Sequence, residues 1–172
     1  MKQQVILLNG PSSSGKSTLA EALRELLSNK GYGRVEIVSI DDFMKISPTE
    51  TIYEDDVFEI ADDMCERASE LLKAGISVII DHVITSERIF EQLTENLSSY
   101  PIRSVRVTCP LKILRSRELA RGDRCVGSAE ASAEYLFPKE GYDLVADTGT
   151  KSPAENALQI FNVLFSFSHS GL

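Results

Sequence analysis

The segment Gly10-Pro11-Ser12-Ser13-Ser14-Gly15-Lys16-Ser17 has the spacing G-x-x-x-x-G-K-S. Glycines and small side chains at these positions let consecutive backbone N–H groups turn inward around phosphate oxygens, at a helix N-terminus whose dipole favours anions. Lys16 supplies a positive charge for β- and γ-phosphates, and the Ser17 hydroxyl is placed to hold a Mg²⁺ ion that arrives with them. The candidate nucleotide-binding set is therefore Gly10, Pro11, Ser12, Ser13, Ser14, Gly15, Lys16, Ser17 and Thr18. The pattern carries this meaning between a strand and a helix. Val5-Ile6-Leu7-Leu8 precedes it, and Leu19, Ala20, Leu23, Leu26 and Leu27 follow at helical spacing.

Carboxylates stand where such a site needs them. In an open parallel sheet, ligands bind outside the carboxyl ends of the strands. Asp81 closes the apolar run Val78-Ile79-Ile80, as does the acidic residue that orients Mg²⁺ in P-loop enzymes, although a helix cap or turn is the plainer role for such a residue. Asp41-Asp42 ends another apolar run. A carboxylate fixed there can orient an acceptor hydroxyl in line with a γ-phosphate and take its proton. Asp41 is the better general base; Asp42 can serve instead, but alternation of side-chain direction keeps both from facing the nucleotide.

Arg117 and Arg121 lie four residues apart on one helical face, and Arg124 follows just past Gly122. Planar guanidinium groups bind phosphate oxygens bidentately and neutralise charge on a transferring phosphoryl group, so this segment fits a closing lid around residues 117–135. Ordinarily such a charge run is a solvated helix face, here with Glu118 and Asp123 as surface partners.

The elements that must position these groups alternate. Strand-like runs at Val5 to Leu8, Val35 to Ile40, Val78 to Ile80, Val105 to Cys109 and Leu144 to Ala146 are separated by helical patterns, which predicts an α/β chain with a five-stranded parallel sheet in the three-layer P-loop NTPase arrangement. Helices are expected after the P-loop, over Asp55 to Ala74 with Gly75 as a stop, over Ser86 to Leu97, and from Pro110 toward Gly122. The last begins at Ser152-Pro153-Ala154-Glu155, a capping box, with an apolar face of Ala157, Leu158, Phe161, Leu164 and Phe165. Phe43 to Glu54 and Gly122 to Gly141 are the least regular stretches, hence the expected substrate loop at 43–54 and the lid.

At 172 residues with 42% hydrophobic content, the chain is expected to form a single domain over residues 1–172. A net charge of −8 argues against an extended nucleic-acid or anionic-membrane surface. Cys65, Cys109 and Cys125 show no C-x-x-C pairing, and with only His82 and His169 to join them they make no zinc site. Cys65 and Cys109 read as buried fillers and Cys125 as exposed. No run is long enough for a signal peptide or membrane span, so a reducing cytoplasm is the expected location. Oligomerisation is left open by Phe165-Ser166-Phe167-Ser168, aromatics that can pack internally or against a second subunit.

Several blocks together support a family resemblance: GPSSSGKS, SIDDF, VIIDHV, RVTCPLKILRSRELARGDRCVG and GYDLVADTGTKSP. In this order, from Ile6 to about Leu164, the chain resembles the chloramphenicol phosphotransferase-like kinases, with RELARGDR the most specific element. The resemblance implies a nucleoside-monophosphate-kinase-like fold and an ATP-dependent O-kinase for a small hydroxylated molecule, chloramphenicol or a related aromatic compound first. It implies Asp41 as catalytic base, Lys16 on the phosphates, Ser17 on the magnesium, and Arg121 and Arg124 closing over the donor; the residue pattern alone adds Asp81 to the metal and Arg117 to the nucleotide-binding set. The family has a carboxylate pair where this chain has Asp81-His82, and a longer, less acidic region after the Asp41 position. Phe43, Met44, Ile52, Tyr53 and Phe58 can still form an apolar wall for the acceptor. Two alternatives stand beside it: a nucleotide-hydrolysing switch, though no D-x-x-G or N-K-x-D element sits in its expected context, and a kinase of a nucleotide, sugar or adenylyl sulfate. Acidic Glu54-Asp55-Asp56 disfavours a heavily phosphorylated acceptor.

Overall fold

Residues Val5–Asn9 form a strand, β1, buried along its whole length, and its alternating side chains are divided between two apolar cores. Val5 and Leu7 join one, Ile6 and Leu8 the other. A strand buried on both faces belongs in a parallel sheet covered by helices. The structure, a computed structural model that describes residues 2–44 and 52–165, has that three-layer form. The remaining strands are β2 (Val35–Ser39), β3 (Ser77–His82), β4 (Ile102–Thr108) and β5 (Leu144–Asp147). All pair in parallel, in the order β2-β3-β1-β4-β5, so that β1 and the loop that leaves it lie at the centre.

Helices α1 (Lys16–Asn29) and α6 (Pro153–Leu164) cover one face, where Leu19, Leu23, Ala157 and Ile160 meet Ile6, Leu8 and Ile79. Helices α2 (Glu54–Lys73) and α3 (Glu87–Asn96) cover the other, where Met64, Leu72, Ile89 and Leu93 meet Leu7, Val78 and Ile80. The expected capping box operates in α6, and α3 also begins at a side-chain cap. The Ser86 hydroxyl accepts the Ile89 N–H at 3.3 Å; Ser152 and Glu155 exchange bonds of 3.1 and 2.7 Å, with Pro153 in the first turn. The last two helices, α4 (Leu111–Arg121) and α5 (Ser128–Tyr135), follow β4.

Several expectations need correction. The stretch from Gly122 to Gly141 is not irregular throughout, because α5 occupies its middle. With only Ala129 buried, α5 lacks the apolar stripe that periodicity detects, and its start is held by a side chain from α4. Strand β2 stops at Ser39, and Ile40–Asp42 form a 3₁₀ turn, whereas β3 continues through Asp81 and His82. Pro110 flanks α4 as its cap instead of opening its first turn. Leu158 faces solvent, and Cys109 is half-buried, not a core filler; Cys65 is buried and Cys125 exposed, as the pattern suggests. Burial pushes the Cys65 thiol up to about 11. Residues 45–51 of the expected substrate loop, and Ser166, Phe167 and Ser168 at the carboxyl end, lie outside the described residues. Among the described residues no helix is long and apolar enough to cross a membrane.

Leu7 is fully buried in the central strand. Leu7→Ala is expected to lower unfolding free energy by about 2–5 kcal/mol, since a cavity opens beneath close-packed neighbours. Calorimetry or denaturant titration checks it.

Candidate active site

The turn between β1 and α1 is built by exclusion of side chains. A Cβ on Gly10 would sit 2.5 Å from the Val107 carbonyl oxygen of β4, so only glycine lets the chain pass. Ser13 takes a left-handed conformation (φ 63°) and Gly15 another (φ 87°), which turns the intervening backbone inward ahead of α1. Pro11 accepts the Ser14 N–H at 3.2 Å and the Lys16 ammonium at 2.9 Å. Lys16 is buried in this cradle, and that burial pushes its pKa down to about 8 against the pull of Asp81 and Asp41, with Arg124 and Arg121 adding to the fall. The Ser13 and Ser14 hydroxyls are buried without hydrogen-bond partners. A buried cation and unsatisfied hydroxyls around an inward-turned loop fit a bound polyphosphate.

Ser17, at the start of α1, donates to the Asp81 carboxylate of β3 at 2.7 Å. Two converging oxygen ligands of this kind, with open space beside them, suit a hard cation that keeps most of its waters. Among the described residues no cluster of three or more His, Cys, Asp or Glu makes an all-protein metal cage, so any such ion would lean on the phosphates.

Ser12, Ser13, Gly15, Lys16, Ser17 and Thr18 line a cleft of about 650 Å³, together with Asp41, Asp81, Arg117, Arg121 and Arg124. Gly10, Pro11 and Ser14 stand behind it and shape the turn. Arg117 is less a mobile finger than a fastening. Its guanidinium donates to the Ser14 carbonyl at 3.2 Å and to the Thr148 carbonyl at 2.9 Å, which ties α4 to the P-loop and to the turn after β5. Arg121 pairs with Asp123 at 3.1 Å, and Arg124 with Asp41 at 2.5 Å.

The 3₁₀ turn after β2 separates the two neighbouring carboxylates. Both are exposed, but Asp41 borders the cleft and also a second cavity of about 950 Å³, whereas Asp42 borders neither. Ile40, Met44, Ile52, Tyr53, Val57, Ile89 and Tyr135 give the second cavity an apolar wall; Phe43 and Phe58 pack instead against the core beneath it. His82 lies on its lining too, with both ring nitrogens buried and no hydrogen-bond partner of normal geometry. Burial pushes this imidazole down to about 4; the Val83 backbone and Asp41 oppose the fall, and Lys16 adds to it. Of the acidic trio that opens α2, only Glu54 reaches this cavity, since Asp55 pairs with Arg88 at 2.5 Å and Asp56 accepts the Tyr53 N–H at 3.1 Å.

Four supporting residues escaped the sequence reading. Asn9 is fully buried at the end of β1, where its amide accepts the Ile84 N–H at 2.9 Å and donates to the Phe137 carbonyl at 2.8 Å and the Tyr142 hydroxyl at 2.9 Å. A polar residue closing an otherwise apolar strand was the available signal. Glu118 is no surface partner: it is 3% exposed, and its carboxylate accepts the Gly127 and Ala129 N–H groups at 2.9 and 2.8 Å, capping α5. Ser132 on α5 accepts the Ser12 N–H at 3.0 Å, and the Thr148 hydroxyl donates to the Ser14 carbonyl. No local pattern marks those two.

Known proteins resemble this chain along most of its length. The family described as chloramphenicol phosphotransferase-like protein matches residues 3–164. A protein of Archaeoglobus fulgidus named "Probable adenylyl-sulfate kinase" is 30% identical over 152 residues, 84% of this chain and 95% of the relative. The Mycobacterium tuberculosis APS kinase CysC, solved in complex with AMPPNP and APS, superposes with a TM-score of 0.78 at 19% identity, covering 95% of this chain and 98% of that one. A gluconokinase from Sinorhizobium meliloti gives 0.68 at 18% identity, over 92% of this chain and 91% of its own. A tunicamycin resistance protein of Deinococcus radiodurans gives 0.65 at 19%, over 92% and 94%.

If Glu118 holds α5 in place, Glu118→Ala should speed hydrogen exchange across residues 122–135 while β1 stays protected. The two lost bonds to a buried carboxylate are worth about 1.5–3 kcal/mol each.

Proposed function

The chain belongs to the chloramphenicol phosphotransferase-like family and is a kinase of the P-loop type; from that premise we propose that it uses ATP, transferring the γ-phosphate of Mg·ATP to a hydroxyl of a small molecule, chloramphenicol or a related aromatic compound being the leading acceptor. One observation carries the reading. Asp41 borders both the P-loop cleft and the larger, mostly apolar cavity beside it, so a single carboxylate stands where donor and acceptor would meet.

The roles divide accordingly. The P-loop backbone and Lys16 bind the phosphates, and Ser17 and Asp81 hold the Mg²⁺, which when bound neutralises phosphate charge. Asp41 orients the acceptor hydroxyl and takes its proton as the oxygen–phosphorus bond forms. Arg121 and Arg124 are near enough to leave their carboxylate partners for the donor's phosphates, and Arg117 keeps α4 against the cradle they close over. Residues 117–135 then act as a lid. A single catalytic domain in a reducing cytoplasm accords with one continuous sheet and with three cysteines of which none forms a disulfide. With chloramphenicol as acceptor, the reaction would confer antibiotic resistance.

A second reading, phosphorylation of a small anionic metabolite, is favoured by the two arginines on the acceptor cavity wall. The deciding experiment mixes the protein with Mg·ATP and a panel of chloramphenicol, gluconate and adenylyl sulfate, and seeks by mass spectrometry a product heavier by one phosphoryl group. Phosphorylated chloramphenicol supports the first reading and a phosphorylated metabolite the second; ADP alone points to a hydrolase or switch. Asp41→Asn is expected to lower kcat by about 10²–10⁴-fold, in the range of general-base catalysis, with little change in the KM for ATP. Lys16→Ala should weaken nucleotide binding and turnover together, read by calorimetry and steady-state kinetics.

A further inference from the structure

His82 closes β3 beside Asn9 of β1, is 1% exposed, and borders the acceptor cavity with both ring nitrogens lacking a hydrogen-bond partner. A buried polar group left so is costly and rare in a native fold. Its neighbour Asn9, equally buried, has three partners for the same kind of atoms, so the surroundings do supply partners where the fold alone needs them. An imidazole offers one donor and one acceptor, and here neither has a protein partner in normal hydrogen-bond geometry, although the Val83 backbone favours the protonated form.

The charges around the cavity narrow what can use them. Arg121 is taken by Asp123 and Arg124 by Asp41, while Glu54 on the same wall shares Arg88 with Asp55, so no cation is left over for an anionic acceptor among these pairs. Should the arginines turn to the nucleotide's phosphates, the carboxylates they leave make the cavity more hostile to an anion. The rest of the wall is apolar, with Met44, Ile52, Val57 and Tyr135.

Resting on the kinase reading above, we propose that His82 is an acceptor-binding residue: its unpaired imidazole hydrogen-bonds a polar group of an uncharged, largely apolar acceptor, at a point separate from the hydroxyl that faces Asp41. The residue thereby selects against sulfated or carboxylated small molecules only indirectly, by fixing the pose of a neutral one.

The test compares wild type, His82→Leu and His82→Gln, each saturated with Mg·AMPPNP, for chloramphenicol binding by calorimetry, and without ligand for melting temperature. Leu removes both hydrogen-bonding atoms; Gln keeps a donor and an acceptor. The expected result is at least tenfold weaker chloramphenicol binding by His82→Leu, recovery to within threefold in His82→Gln, unchanged AMPPNP affinity, and a melting temperature for His82→Leu no lower than that of wild type. In turnover the loss should fall on the acceptor KM more than on kcat. Equal binding by all three proteins overturns the proposal, as does weaker binding by His82→Gln equal to that of His82→Leu. So does a wild type that binds adenylyl sulfate or gluconate but not chloramphenicol, or none of the three. Chloramphenicol binding with the expected pattern but no phosphorylated product would sink the kinase reading and leave the His82 contact standing.

Discussion

The passage of the Gly10 backbone against Val107 is the contact on which the rest is arranged. A side chain there would drive β1 and β4 apart, and β1 is the central strand, with side chains in both cores. With the chain allowed through, the turn delivers Ser13 and Gly15 in left-handed geometry and starts α1 directly at Lys16. The core on the α1 side then fixes the angle at which α1 leaves the sheet, because Leu19 and Leu23 are fully buried against Ile6 and Leu8. Packing density thus sets the direction of the amides and the lysine.

Around that cradle the polar and charged groups are held in pairs. Ser17 with Asp81, Arg124 with Asp41 and Arg121 with Asp123 leave Lys16 as the deeply buried cation. Its pKa near 8 reflects a site that lacks enough negative charge for its burial. A polyphosphate bound there would supply that charge, and each exposed pair can exchange its partner for a phosphate oxygen at small net cost, since ion pairs open to water contribute little.

Legibility in the sequence followed the range of the interactions. The P-loop, the five strands and the cap of α6 rest on neighbours within a few residues, and local patterns revealed them. Asp41 and Asp81 were legible because strand ends face the ligand edge of a parallel sheet. The choice of Asp41 over Asp42 was not, since it depends on a 3₁₀ turn that alternation does not anticipate. Helix α5 and the true position of Glu118 were hidden because a carboxylate on one helix caps another, a bond made across space. The fastening role of Arg117 was hidden likewise: its partners Ser14 and Thr148 are 103 and 31 residues away.

The bond from the Ser12 N–H to the Ser132 hydroxyl joins the two halves of this machine in an unexpected way. Ser132 is on α5, so α5 cannot shift without releasing one amide of the loop that holds phosphate. The number of donors offered to an anion is therefore not a constant of the loop but a function of where a helix 120 residues downstream happens to rest. Occupancy on one side and helix position on the other become two readings of the same dial.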